Sequence, residues 1–185
     1  MKISFDKGVV TPHPVFIIST YDIDGTPNAM NAAWAQQVDY DAISITLSRH
    51  NTTNNIIRNK EFCVAYATSD MIEACDYVGI VSKDKEKNKL EKAGFTVCKS
   101  EKVNAPIINE LPLSIECRVI EVQEEFGDYR ILAKIVGMVV DDKILTDGKI
   151  DYDKAHFVVF DSIGNTYREI SSVVAPAFKI GKKLM

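Results

Sequence analysis

A long stretch of alternating apolar and polar residues in the second half of the chain constrains the fold most strongly. Apolar side chains occupy every second position over residues 113–119, which is typical of a strand with one buried face. The apolar phase shifts by one residue at Ile120, and a β-bulge accounts for such a shift. A turn at residues 126–128 then leads into a second apolar segment, 129–140. The pattern predicts a long antiparallel hairpin with a bulge in its first strand.

Other segments rich in β-branched and aromatic residues predict further strands. They cover residues 15–21, 28–38, 42–47, 62–67, 157–160 and 166–170. Asp24 and Gly25 supply turn chemistry between the first two, so we expect these to pair as a hairpin. Alternating βαβ units are absent from the sequence, which disfavours a doubly wound parallel sheet.

Short helices interrupt this β pattern. Thr52 or Thr53 can cap a helix that runs to Asn59, and Ser69 or Asp70 can cap the next one. A lysine-rich segment, 83–92, ends at Gly94, a residue suited to a helix C-terminus. Several antiparallel strands with a few inserted helices predict a mainly β barrel of the α+β type.

Length and charge limit the classes of function. The chain has 185 residues, and we expect one domain over 1–185. Its 22 Lys and Arg against 26 Asp and Glu give a net charge of -4, which argues against nucleic acid as a partner. Apolar runs are too short for a membrane span, and the N-terminus is unlike a secretory signal, so we expect a cytoplasmic protein that does not bind membranes.

The cysteines and histidines predict no metal site. Cys63, Cys75, Cys98 and Cys117 form no CxxC pair, and we expect buried, reduced thiols. The three histidines make no cluster at ligand spacing. The phosphate-binding glycine motifs GxGxxG and GxxxxGK[ST] and the hydrolase motif GxSxG are also absent.

Residues 28–35 are unusual for a strand. Small side chains crowd this segment, asparagine occurs twice, and Trp34 is the single tryptophan of the chain. Small side chains would let a flat ligand approach the backbone and bond to its N–H and C=O groups. An edge strand that polar residues keep from aggregating explains the composition equally well.

Residues 48–55 form a polar segment between a strand and a helix. Free N–H groups at the helix start, hydroxyls of Ser48, Thr52 and Thr53, and the Arg49 guanidinium together suit a phosphate group. A capped, solvated loop in which Arg49 pairs with a carboxylate is the alternative.

With these segments, the chain resembles the flavin reductase-like family of flavoredoxins, flavin reductases and ferric reductases over residues 10–125, and more loosely beyond. The resemblance rests on the order of short motifs. They are the strand before Asp24-Gly25, Asn28-x-x-Asn31-x-x-Trp34, Arg49 with Thr53-x-x-Ile56, Glu61-Phe62-x-Val64, the run 76–82, Lys89, and Ala93-Gly94-Phe95-Thr96. The family implies an FMN-binding split β-barrel, an antiparallel Greek-key-like barrel with a few short helices.

The resemblance also implies the residues that bind the cofactor. Residues 31–34 would line the isoalloxazine ring, segment 48–53 would hold the ribityl chain and phosphate, and two residues would reach in from the following loop and helix. The full predicted set is Asn28, Met30, Asn31, Ala32, Ala33, Trp34, Ser48, Arg49, His50, Thr52, Thr53, Ser82 and Lys89. The chain departs from the family at Ala33, where serine is common, at Lys83, where glycine is common, and after Trp34, where the usual proline pair is missing.

The family implies an NAD(P)H-dependent FMN oxidoreductase that passes electrons to flavin, ferric or protein acceptors. Hydride transfer to the flavin needs orientation rather than a protein acid or base, so we predict no catalytic side chain. A non-catalytic flavin-binding or electron-carrier module of the same barrel is the alternative, and a pyridoxamine-phosphate-oxidase-like relative is a third reading. Family members are usually homodimers, and we expect a homodimer here.

Overall fold

The structure is a computed structural model that describes residues 2–6 and 8–185. These residues form fourteen strands and four α-helices. The strands are β1 His13–Pro14, β2 Phe16–Tyr21, β3 Pro27–Ala32, β4 Ala35–Asp39, β5 Ala42–Leu47, β6 Glu61–Tyr66, β7 Val97–Lys99, β8 Pro106–Ile108, β9 Leu113–Glu125, β10 Asp128–Val140, β11 Leu145–Thr146, β12 Lys149–Ile150, β13 Val158–Asp161 and β14 Thr166–Glu169. The helices are α1 Asn51–Asn59, α2 Ile72–Ile80, α3 Lys89–Lys92 and α4 Tyr152–Ala155.

The main sheet is antiparallel and closes on itself. Its strand order is β3-β2-β6-β9-β10-β5-β4, so β3 and β4 are its two edges. These edges are consecutive in the chain and only Ala33 and Trp34 separate them. A two-residue connection can join opposite edges only if the sheet curls into a barrel. The predicted mainly β barrel is therefore confirmed.

The long hairpin and its bulge are confirmed. β9 and β10 pair along their length, and the register passes from Leu132 opposite Glu121 to Ala133 opposite Val119. The pairing therefore skips Ile120, the residue at which the apolar phase shifts. The strands predicted at 15–21, 42–47, 62–67, 157–160 and 166–170 are also present as β2, β5, β6, β13 and β14.

The prediction that β9 has one solvated face is wrong for its first half. Ser114 and Glu116 are buried, because the β7–β8 hairpin packs over the outer face of the sheet. Ser100 Oγ donates a hydrogen bond of 2.6 Å to the Glu116 carboxylate. On the neighbouring strand Gly137 leaves space that the carboxylate fills, and a Cβ at that position would overlap Glu116 Oε2. A polar residue in an alternating pattern can thus lie inside when a second layer covers it.

Segment 28–38 forms two strands, whereas the sequence predicts one. β3 pairs with β2, and β4 pairs with β5 at the other edge of the sheet. Trp34 lies at the break between them, where its carbonyl accepts a 2.8 Å hydrogen bond from Thr46 N–H. The break places the two ends of segment 28–38 on opposite edges of the barrel.

The predicted helix caps are wrong, although the helices themselves are present. His50 is the N-cap residue of α1, and Thr52 and Thr53 lie buried in its first turn. A 3-10 turn, Ser69–Met71, precedes α2, so neither Ser69 nor Asp70 caps that helix.

Three further sequence predictions concern the lysine-rich segment, the helix end at Gly94 and the burial of the cysteines, and they hold in part. Only Lys89–Lys92 of the lysine-rich segment is helical, and Gly94 follows it with a φ of +76°, as expected at a helix end. Cys98 is exposed, while the other three cysteines are buried.

The barrel interior and the space beneath α2 hold two apolar cores. Ile18, Ile45, Phe62 and Ile131 are among the residues that fill the barrel, and Cys75, Val78 and Ile108 belong to the second core. No helix in the described part of the chain has the length and apolar character needed to cross a bilayer.

Candidate functional site

Two adjoining pockets lie along β3 and the segment that follows β5. The first pocket has a volume of about 270 Å³ and the second about 260 Å³. Met30 and His50 line both pockets, so the two form one continuous groove. One end of the groove lies at the start of α1, and the other lies beside Trp34.

The first pocket contains the N-terminus of α1. Asn51, Thr52 and Asn54 from its first turn line the pocket. His50 caps the helix without a side-chain hydrogen bond, and the first turn carries no acidic residue. The first N–H groups of a helix have no intrahelical acceptor, and the helix dipole makes this end positive. This end of the groove therefore favours an anion.

Lys89 adds a buried positive charge to the same pocket. The residue is 4% exposed, and its Nζ donates a 2.7 Å hydrogen bond to the carbonyl of Ala29 in β3. Burial lowers the pKa of this ammonium to about 8. The nearby carboxylate of Asp22 acts in the opposite direction and raises the pKa, and the cation of Lys83 lowers it further. An anion that enters the pocket stabilises a desolvated ammonium at its wall, which again favours a phosphate or carboxylate ligand.

Asn28 presents a hydrogen-bond acceptor without a donor. Its side chain is buried at the wall of the first pocket, and its Oδ1 has no partner among the described residues. Leaving a buried polar atom unpaired costs about 1–3 kcal/mol. A ligand hydroxyl or N–H at this point would remove that cost.

Arg49 lies at the rim of the first pocket, and its guanidinium is held by residues of the β9–β10 hairpin. Nη2 pairs with Glu124 at 2.6 Å, Nη1 donates to the hydroxyl of Tyr129 at 2.8 Å, and Cζ lies 4.8 Å from the centre of that ring. Both partners of the ion pair are more than half exposed. A ligand phosphate would compete with Glu124 for this guanidinium.

The second pocket is lined by residues that suit a flat ring. Residues 30–34 line one side with mostly small side chains, and Phe160 and Tyr167 of the β13–β14 hairpin complete it. Trp34 is 59% exposed and stacks on His13 with ring centres 5.3 Å apart. The pocket therefore combines accessible backbone with aromatic walls.

A hydrogen-bond chain fixes the side chain of Asn31 at this second pocket. Its Nδ2 donates to the carbonyl of Cys75 at 3.2 Å and to the hydroxyl of Tyr167 at 3.5 Å. The Tyr167 hydroxyl donates to Asp76 at 2.7 Å, and burial together with this carboxylate raises the pKa of the phenol to about 12. Because its amide donors are taken, Asn31 offers its Oδ1 acceptor to a ligand.

The structure brings together most of the residues that the sequence predicts for cofactor binding. Twelve of the thirteen line the two pockets, and Thr53 is the exception. Thr53 is fully buried behind them, and its Oγ1 donates to the carbonyl of Ser48 at 2.7 Å, so it supports the loop. The pockets also include residues outside the predicted set, among them Asn51, Asn54, Gly79, Lys83, Phe160 and Tyr167. Asn51 and Asn54 lie within the polar segment 48–55, whereas Phe160 and Tyr167 follow the predicted motifs by many residues and carry no local signal.

An antiparallel barrel with an anion pocket joined to a flat aromatic pocket is the architecture of a split-barrel flavin-binding protein. The family described as "Flavin reductase like domain" matches residues 9–157, and the chain belongs to this family. The matched part contains both pockets except for Phe160 and Tyr167.

Solved structures and a curated relative extend this result. The flavoredoxin of Desulfovibrio vulgaris (Miyazaki F) is 30% identical, covers 98% of this chain and 100% of its own, and has a TM-score of 0.91. Flavoredoxin from Methanosarcina acetivorans is 28% identical over 100% of both chains, with a TM-score of 0.90. An uncharacterised protein of Archaeoglobus fulgidus is 30% identical over 149 residues, which is 79% of this chain and 82% of that protein. The family resemblance and the split-barrel fold expected from the sequence are thus confirmed, and a flavin-related oxidoreductase activity is the family's function.

Proposed function

We propose that this chain binds FMN along the groove and transfers electrons from NADH or NADPH through it. The observation that carries the proposal is the junction of the two pockets, one suited to an anion and the other to a flat ring, at Met30 and His50. Flavin mononucleotide has a phosphate, a polyhydroxylated chain and a flat ring in that order. Bound flavin supplies the two-electron chemistry.

The residues of the first pocket fit the phosphate and the chain next to it. N–H groups of the α1 first turn and the Lys89 ammonium would hold the phosphate. The unpaired Oδ1 of Asn28 would accept a hydrogen bond from a ribityl hydroxyl. These groups bind and orient the cofactor, and none of them has to move a proton.

The residues of the second pocket would position the ring. Segment 30–34 would present its backbone to the ring, and Asn31 Oδ1 would accept from a ring N–H. The aromatic walls would exclude water from one side, and the open side would admit a nicotinamide. A hydride donor stacked there needs close approach and correct orientation, which agrees with the absence of a predicted acid–base residue.

A flavoredoxin-like electron carrier is the second candidate. The two solved relatives at 28% and 30% identity are flavoredoxins, and both cover nearly the whole chain. In this case another protein would reduce the bound flavin. The electron acceptor is a separate part of the proposal. Electron-transfer assays with free flavin, ferric ion or a protein test which of them accepts the electrons.

We also propose that the chain forms a homodimer. Val173, Val174 and Phe178 near the C-terminus are almost fully exposed, and Val9 and Val10 are exposed on the N-terminal segment. Apolar side chains on two terminal segments are suited to burial against a second copy. Sedimentation equilibrium of the full chain tests this, with a mass near 41 kDa supporting it and one near 20.6 kDa contradicting it.

The visible spectrum tests the function directly. Purified protein is saturated with FMN, freed of excess ligand and made anaerobic, and NADH or NADPH is then added. Retained flavin bands that bleach with either donor support the oxidoreductase. Retained bands that bleach with neither donor support the carrier instead. If no flavin is retained, steady-state NAD(P)H oxidation with free FMN decides between a reductase that uses flavin as a substrate and no flavin function at all.

A further inference from the structure

Segment 81–88 forms one wall of the first pocket and connects α2 to α3. Val81, Ser82, Lys83 and Asp84 line the pocket, while Lys85 and Lys87 are exposed. The segment has no regular secondary structure to hold it in place. Its position must therefore come from its side-chain contacts.

Lys83 makes the most extensive of these contacts. Its Nζ forms an ion pair with Asp22 at 2.6 Å, donates to the Pro27 carbonyl at 3.1 Å, and also donates to the Thr26 hydroxyl. The side chains of the ion pair are only 13% and 18% exposed. An ammonium has three donors, and the protein takes all three. Lys83 therefore lies beside the anion pocket with no donor left for a ligand.

The partners of Lys83 connect the segment to the rest of the pocket. Asp22 also accepts a hydrogen bond from Asn55 Nδ2 of α1. One turn earlier in α1, Asn51 Nδ2 donates to Asp84 at 2.5 Å. The β2–β3 turn, α1 and segment 81–88 thus meet around the first pocket, since Asn55 of α1 contacts the turn and Asn51 of the same helix contacts the segment.

We propose that Lys83 is a positioning residue that holds segment 81–88 against the first pocket and thereby slows the release of bound flavin. This rests on the proposed function. A ligand seated between α1 and the segment leaves more easily once the segment can move away. A partly buried ion pair holds two segments together more strongly than an exposed one, because water screens the attraction between its charges less.

The test measures dissociation rates of FMN and of riboflavin from the wild type and from Lys83→Met by stopped-flow fluorescence with a flavin trap. We expect both ligands to leave about tenfold faster from the variant, which corresponds to about 1.4 kcal/mol. Lys85→Met, in the same segment, is the control and should release both at the wild-type rate. Lys83→Arg should restore slow release, because it keeps a cation beside Asp22.

Asp22→Asn provides an independent variant from the other side of the ion pair. It should accelerate riboflavin release as Lys83→Met does, and the double variant should release riboflavin no faster than either, since both substitutions remove the same ion pair. Riboflavin is the ligand compared here because Asp22 also acts on Lys89, which would meet only the phosphate of FMN. Unchanged rates in Lys83→Met overturn the proposal. Faster release of FMN alone also overturns it, because that result means direct contact between Lys83 and the phosphate. A wild type that binds neither flavin in an equilibrium titration, and does not oxidise NADH or NADPH with free FMN, contradicts the proposed function itself, before any variant is compared.

Discussion

Replacing Lys89 by methionine should stabilise the flavin-free protein and weaken its binding of FMN. The ammonium is almost completely buried, and its one hydrogen bond in the described structure goes to the Ala29 carbonyl. Methionine has a similar length and carries no charge into the interior. A residue that lowers the stability of the folded protein, so that its replacement makes the protein more stable, is typical of a functional site.

The magnitude follows from the pKa of Lys89. Burial lowers this pKa from 10.5 to about 8, so the unfolded chain binds more protons than the folded one between these pH values. Stability therefore rises with pH through this window, and below pH 8 the charged lysine costs about 3 kcal/mol. Loss of the hydrogen bond to Ala29 removes about 1 kcal/mol of the gain. We expect Lys89→Met to be more stable by about 2 kcal/mol at pH 7.

Urea unfolding of the flavin-free proteins at pH 7 and pH 10 measures this gain. At pH 10 most of it should be lost, because folded wild-type Lys89 is then neutral. Lys87→Met, an exposed lysine of the neighbouring segment, should match the wild type at both pH values. FMN affinity of Lys89→Met should fall at least about tenfold, and riboflavin affinity much less. A variant that is less stable than the wild type at pH 7, or equally favoured at both pH values, would refute the reasoning.

Three further substitutions test individual contacts, one at the groove and two elsewhere in the fold. Helix propensity alone predicts that Gly79→Ala gains about 1 kcal/mol, but its new Cβ would lie 2.8 Å from Asn31 Cβ, so we expect lower stability and weaker flavin binding by titration. Gly137→Ala pushes a methyl group into the buried carboxylate opposite and should cost about 2–4 kcal/mol in urea unfolding. Glu169 raises the pKa of His156 above 6.5, so their ion pair is present at low pH and is lost as pH rises through that pKa. Glu169→Gln should lower the pKa of the histidine towards its ordinary value in an NMR titration, while Asp70 and Asp153 still raise it.

The central hairpin could be predicted because its information is local. Alternation of side chains along β9 and β10 reports a buried face directly, and the phase shift at Ile120 marks the bulge to the residue. The strand pattern predicts a barrel, but the connection that closes it could not be predicted in the same way. The break at Ala33 and Trp34 contains no turn-forming residue, and it arises because β4 pairs with β5 on the far edge.

The residues of the candidate site show the same difference between local and long-range information. The polar segment before α1 predicts an anion pocket from its helix start, its hydroxyls and Arg49, and the structure has a pocket lined by the first turn of α1 at this place. Binding of an anion there stays a prediction. Tyr167 reaches Asn31 from 136 positions away, and Arg49 meets Glu124 from 75 positions away. Contacts at such separations depend on the assembled barrel, and single-sequence patterns carry no trace of them.

The charges around the first pocket indicate how an acidic chain would bind the phosphate of the proposed cofactor. Three cations and the exposed carboxylate of Asp84 lie at this pocket, and Asp22 neutralises Lys83 while Glu124 neutralises Arg49. Lys89 faces a backbone carbonyl instead and keeps its charge, beside the positive end of α1. The attraction for a phosphate therefore comes from one desolvated ammonium and a helix terminus, while the net charge of the whole chain stays at -4. Counting lysines in a sequence cannot separate these roles, because burial and pairing decide which charge a ligand meets.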